Sequence, residues 1–185
     1  MKKFILILII FVQGITAPAQ FFNRSFNLGQ NLALAWNVDT LSNDSILIHA
    51  ANFLINGNVG IGTVKLDDFG RERFSKTFSI SSKNLYVGWA NSTAPTQDGN
   101  FIMGGGIQDT SSDFGYLMKF TPLGDTLWTK TFGDTVNFHT FRQAKELDNG
   151  DFIVVGQNIN GGWLVLTDSL YHNKYGVIND ISTKS

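Results

Sequence analysis

The 185-residue chain contains no cysteine. That one absence removes disulfides, thiol nucleophiles and thiolate metal sites together. Stability must then come from packing alone. Histidine is nearly as scarce: His49, His139 and His172 stand far apart, without the spacing of a zinc site. Each is expected to be an incidental strand residue. Charge is sparse too, with 16% Asp, Glu, Lys and Arg and a formal net charge of −1. Without a basic patch, neither nucleic acid nor an anionic membrane finds electrostatic support.

Long apolar runs are also missing. The longest, Phe4 to Val12, has nine residues and is too short to cross a bilayer as a helix. It follows Met1–Lys2–Lys3 and precedes Ala17–Pro18–Ala19, which together read as a cleaved signal peptide over residues 1–19. The chain is therefore expected to be secreted or cell-surface, and not membrane-spanning. Without those residues the count is twelve basic against fifteen acidic side chains, a net charge of −3.

No long helical periodicity follows Gln20. Sixteen phenylalanines, four tryptophans and nineteen glycines are arranged instead as short apolar runs between Gly, Asn, Asp and Ser clusters. That pattern marks many short strands. Leu32–Trp36, Ile46–Ile48, Ile61–Leu66 and a strand ending at Phe78 are the first of them. Asn56–Gly57–Asn58 and Asp67–Gly70 are turns.

The strands repeat. Met118 to Phe132 aligns with Val64 to Phe78 at an offset of 54, with identities at five of fifteen positions. Asp98–Met103 recurs as Asn149–Val154 at an offset of 51, and a weaker copy, Trp163–Leu170, lies 47 residues after Tyr116–Leu123. Trp36, Trp89 and Phe141 form an aromatic slot ahead of these motifs. In the clearest unit the strands are Gly115–Thr121, Thr126–Phe132, His139–Leu147 and Phe152–Gln157. Four antiparallel strands in about fifty residues describe a propeller blade.

The expected fold is therefore all-β, with about three four-stranded propeller-type blades forming an incomplete propeller. The repeat region spans residues 20–185, in units of roughly 44–97, 98–148 and 149–185, the last one incomplete. Met118–Phe132 is expected to be the inner part of a blade. Its alternation turns Trp128, and by analogy Phe74, toward a neighbouring blade. Lys65, Lys76, Lys119 and Lys130 recur as solvated partners of neighbouring strands. Three readings fit the blade count: a fragment of a longer gene, a degenerate copy, or a protomer closing by oligomerisation. The fragment is the expected one.

Tyr116–Phe120, Gly124–Gly133 and Asp148–Gly156 resemble the blade repeats of secreted Bacteroidota propellers. The resemblance covers most of residues 44–170 and is specific to the repeat rather than to an activity. It implies the C-terminal sorting domain of type IX secretion, but nothing like that domain follows Tyr175–Gly176.

No catalytic, cofactor-binding or metal residue is assigned. Asp109–Asp113 and Asp148–Asp151 are oxygen-rich but lack the rest of a calcium loop, and read as turns. Asp67–Asp68 are neighbours on a turn whose side chains diverge, a poor carboxylate pair for glycoside hydrolysis. The expected function is a non-enzymatic binding or scaffold module, with Gly104–Gly106 and Gly161–Trp163 as contact surface. Its partner would be an extracellular or envelope protein or a glycan, and an exposed blade face could join copies of the chain. The alternative is a piece of a larger extracellular propeller enzyme, for example one acting on glycans, in which Asp113 and Asp151 would matter.

Overall fold

The computed structural model describes residues 25, 28, 32–41, 45–89, 91–110, 112–134, 138–168 and 173–175. The signal-peptide reading and His172 lie outside them. Among the described residues there are thirteen strands and no helix, so none that could cross a membrane.

The strands form three antiparallel sheets in chain order. Sheet A holds β1 (Leu32–Thr40), β2 (Ile46–Phe53), β3 (Val59–Leu66) and β4 (Glu72–Phe78). Sheet B holds β5 (Asn84–Val87), β6 (Thr93–Pro95), β7 (Phe101–Gln108), β8 (Asp113–Phe120) and β9 (Thr126–Phe132), with β5 and β6 sharing one side of β7. Sheet C holds β10 (His139–Glu146), β11 (Phe152–Asn158), β12 (Gly161–Thr167) and β13 (Asn173–Tyr175). The four strands expected to make one unit over Gly115–Gln157 are instead divided between two sheets, β8 and β9 closing sheet B and β10 and β11 opening sheet C. The unit boundaries at residues 44, 98 and 149 fall in the hairpins joining first and second strands.

One corner recurs at five hairpins. In Leu54–Asn58, Asp67–Arg71, Thr96–Asn100, Thr121–Asp125 and Leu147–Asp151, the first and fifth residues pair and the fourth is a glycine donating its N–H back to the first carbonyl. Every one of those glycines has positive φ, between 71° and 85°. A three-residue loop needs a left-handed residue there, and glycine takes that conformation without steric cost. These are the glycines that punctuate the sequence.

The offsets hold in three dimensions. Lys65 pairs with Phe74 and Lys119 with Trp128, and each pair is followed by the same register shift. Gly105 pairs with Tyr116 and Gly156 with Trp163, so the weak copy at an offset of 47 is structural as well. The corresponding pair in sheet A is Ala50 with Gly62. Gly62 lacks the ring that Tyr116 and Trp163 supply, and the Leu28 side chain occupies that space.

Period-two alternation splits sheet B between two cores. Phe101, Met103, Ile107, Tyr116, Met118 and Phe120 join Leu47 and Ile61 of sheet A. Ile102 and Leu117, on the opposite face, join Phe141, Phe152, Val154, Trp163 and Val165 of sheet C. Phe74 packs at the A–B core and Trp128 at the B–C core, so the large ring of the repeated hairpin does face a neighbouring sheet. The hairpin itself is peripheral: β9 is the edge of its sheet. The first strands make the close inter-sheet approach instead, β10 lying against β7 at Gly104 and Gly106.

Candidate functional site

The first strand of each sheet is interrupted at one equivalent register. In sheet A, Ala35 pairs with Ala50 and Asn37 with His49, which extrudes Trp36. In sheet C, Phe141 pairs with Gly156 and Gln143 with Val155, which extrudes Arg142. In sheet B the interruption widens to five residues. Gly104 accepts from Gly88 N–H and donates to Ser92 C=O, and the chain between them bows out through Trp89 and Asn91. Bulges concentrate where a strand must re-aim a side chain.

Two of the extruded side chains meet. Arg142 stacks on Trp89 with its guanidinium carbon 4.0 Å from the ring centre, and its Nη2 donates to Gln157 Oε1 at 3.1 Å. Trp36 and Asn91 line one cleft with Ala35, Asn37, Val38 and Ile48, of about 380 Å³. Asn91 has a φ of 63°, uncommon outside glycine. Its backbone N–H donates to Asn37 Oδ1 at 3.1 Å, which ties the bowed segment to sheet A. Trp36 is 45% exposed and Trp89 60%. The aromatic slot expected from the sequence is thus one residue out of register in sheet C. Phe141 is fully buried, and Arg142 is the residue equivalent to the exposed tryptophans.

A polar network runs from this cleft into the A–B interface. Asn37 Nδ2 donates to Asp39 Oδ2 at 3.0 Å and also to Thr93 Oγ1, whose hydroxyl donates to Asp39. Beneath lies His49, fully buried, with Nδ1 3.2 Å from Thr63 Oγ1 and its ring edge-on to Phe120. Its Nε2 makes no hydrogen bond and stands 3.8 Å from Asp39 Oδ2. Burial disfavours the cation and lowers the imidazole pKa to about 4, so it is neutral near pH 7. Burial also raises the Asp39 carboxyl, against hydrogen bonds from Thr93 and Asn37. A histidine sealed from solvent cannot serve a ligand in the cleft as a base. It is a structural group that protonation would disturb.

Sequence reasoning missed this network, because Asn37, Asp39, His49 and Thr93 are scattered and only the pairing of sheets A and B assembles them. His139 is also buried, against Trp163 at 4.9 Å between ring centres.

The expected contact surface is largely overturned. Gly104, Gly105 and Gly106 are buried in β7, where side chains would collide with β10 or with Tyr86. Trp163 is 4% exposed and stacks on Phe141, leaving only Gly161 and Gly162 at the surface.

The acidic positions are turn residues. Asp67 Oδ1 accepts from the N–H groups of Phe69 and Arg71, and its Oδ2 meets Arg71 and Arg73. Burial pushes this carboxyl up, but those donors and the Arg71 charge outweigh it and hold the pKa below the usual value. Asp68 is exposed beside it. Asp109 Oδ1 accepts from Ser112 N–H, Asp113 opens β8, and Asp151 is buried within its hairpin, accepting from Asn149. Among the described residues no three His, Asp or Glu gather as a metal site requires.

Of the recurring lysines, Lys76 bridges to Asp125 at 2.5 Å across sheets A and B, and Lys130 is exposed. Lys119 is 11% exposed and reaches Asp98 at 2.7 Å. It is therefore a packed ion pair, not a solvated side chain.

No protein-family profile matches the chain, and no curated protein is detectably similar to it in sequence.

Proposed function

We propose that the three sheets are propeller-type blades and that the chain is a secreted, non-enzymatic module that binds a partner through the first-strand side of the stack. The observation that carries this reading is the triple interruption at one register. A repeat maintained for packing alone has no need of it, yet all three sheets break their first strand there. Two of the side chains so released are exposed indoles, which packing would otherwise bury. Packing explains the cores on both faces of sheet B, but it leaves the Trp36 and Trp89 indoles 45% and 60% exposed.

The purified chain, begun at Gln20, tests the reading. Applied to a broad glycan array and to separated envelope proteins of a secreting host, it should retain at least one defined ligand at micromolar concentration. Retention of none overturns the proposal. Turnover of a retained glycan would favour the enzymatic alternative instead.

A further inference from the structure

We infer that the two open ends of the stack are the halves of one interface, and that each is covered by a second copy of this chain docked head to tail. The outer faces of sheets A and C carry this contact, so it stands independently of the partner reading above.

The chain already builds the interface twice. Each time, the first strand of the following sheet lies on the second and third strands of the preceding one: β5 along β2 and β3, and β10 along β7 and β8. Register gives each position an equivalent at the ends. Val38 pairs with Ile48, Thr93 with Met103 and Ala144 with Val154. Met103 and Val154 face the preceding sheet, so Thr93 and Ala144 do too, and both are buried. Val38 is 61% exposed, because among the described residues no sheet precedes β1. At the other end, Ile153 is equivalent to Leu47 and Ile102, and Leu164 to Leu117. Leu47, Ile102 and Leu117 are fully buried against the sheet that follows them. Ile153 and Leu164 are only half-buried, and Val155 between them is 41% exposed, because no described sheet follows sheet C. Val155 pairs with Leu164 and Ile153 with Leu166, which makes two opposed aliphatic pairs on one outer face.

Both ends are more apolar than the internal positions they match. Val38 stands where the inner sheets have Thr93 and Ala144. Leu166, opposite Ile153, stands where Lys65 is opposite Leu47 and Lys119 is opposite Ile102. A face left to water would be expected to keep that charge, and exposed apolar patches mark association sites. Bulk is complementary as well. At the B–C interface the Phe141 Cβ lies 3.3 Å from where a side chain on Gly104 would begin. The residues in those two registers at the ends are Ala35 and Val155. The larger side chain thus moves to the receiving face, and the alanine makes room for it. Ala35, Val38 and Ile48 line the open cleft beside Trp36, which is where the receiving face would seat. The β3 side of that face is already closed, with Val64 and Leu66 buried and Leu28 over Gly62. Its first-strand side stays open, and that is the side both internal interfaces use.

The two end faces differ, so the contact is heterologous, and copies must close into a ring or run on as a filament. Two copies bring six sheets, three from each chain, within the range of about four to eight at which propellers close. The expected assembly is a closed pair.

Light scattering of the chain begun at Gln20, at micromolar concentration, should return twice the chain mass. V38D places a carboxylate on the docking strand and V155D one on the receiving face. Each should reduce the mass to that of one chain while keeping the far-ultraviolet circular dichroism of the parent. An equimolar mixture of the two should return to the two-chain mass, since V38D keeps a native receiving face and V155D a native docking strand. That recovery also shows that both variants fold.

A parent chain at the one-chain mass overturns the interface. A two-chain mass that survives either single substitution overturns the head-to-tail order, because pairing of like faces needs only one of the two ends. Folded variants that stay single when mixed overturn it as well. A mass that climbs with concentration without limit overturns closure at two copies.

Discussion

The two interfaces flanking sheet B differ at one register position, and most of their character follows from it. Sheet A places His49 there, while sheet B places Gly104 at the equivalent position. Gly104 lets the backbone of β10 approach, so that an added Cβ would come within 3.2 Å of the Gln143 carbonyl carbon. The B–C interface is correspondingly tight and aromatic. Phe141 stacks on Trp163 at 4.6 Å and meets Phe132 at 5.4 Å, and Trp128 stands edge-on to Phe152. The imidazole at the A–B interface brings Thr63, Asp39, Thr93 and Asn37 with it, and leaves Nε2 unsatisfied. Repetition therefore sets the sheets, and the departures from repetition set what lies between them.

The largest way to break the B–C side is Phe141→Ala. Phe141 is fully buried among Phe132, Trp163 and the glycines of β7 and β8. The expected loss is about 3–5 kcal/mol in urea unfolding, the range for truncating a buried ring. A loss below about 1 kcal/mol would show that β10 does not clamp the sheets.

The next effect belongs to the A–B side and appears as a pH dependence. His49 has a pKa of about 4 when folded against about 6.5 unfolded. The unfolded chain therefore binds the proton first as pH falls. The stability held above pH 6.5 drains through the window between about 6.5 and 4, by about 3 kcal/mol at most. Asp39, shifted the other way by burial, takes up its proton earlier in the folded state and offsets part of this at the acid end. His49→Leu should flatten the 6.5-to-4 limb while changing stability at pH 7 only slightly, because it removes an unsatisfied nitrogen along with the Thr63 bond. An unchanged acid limb in that variant would place the sensitivity outside this interface.

Gly104→Ala sharpens the comparison from the opposite direction. Its Cβ would meet backbone of β10 and the Phe141 Cβ at 3.2–3.4 Å, so β10 must give way. About 1–3 kcal/mol should be lost, with Trp163 fluorescence reporting the displaced stack. If the variant is as stable as the parent, the close approach at Gly104 is not what makes the B–C interface tight.

The sequence displayed the period because five corners each need a left-handed glycine, and because Lys65–Phe74 and Lys119–Trp128 share one register. Both are local requirements, and local requirements recur in sequence. The bulges were only half legible. Trp36 and Trp89 are visible as aromatics, but Arg142 stands in the same position with unrelated chemistry, and Phe141 beside it misled the alignment by one residue. The His49 network was illegible because its members are contributed by β1, β2, β3 and β6 and meet only when two sheets close. Gly104–Gly106 was expected at the contact surface because glycine marks corners elsewhere in this chain, yet here it marks a close contact between sheets.

The smallest expected effects lie at the rims, where the two interfaces should behave alike. Lys76 bridges sheets A and B to Asp125, with both side chains exposed. At the B–C rim, the Gln97 N–H donates to Glu146 Oε2 at 2.6 Å and its side-chain amide to Leu147 C=O. Exposed pairs of this kind contribute about 0.2–1 kcal/mol, because water screens the charges and ordering long side chains is costly. Lys76→Met and Glu146→Gln should each cost under about 1 kcal/mol, and the Lys76 effect should vanish in 1 M salt, where the screening length falls to about 3 Å. The two interfaces differ in their interiors, so equal and small rim effects are what that difference requires. A Lys76→Met loss approaching that of Phe141→Ala would mean that sheets A and B are held together by charge at the surface, and that the buried polar network between them contributes little.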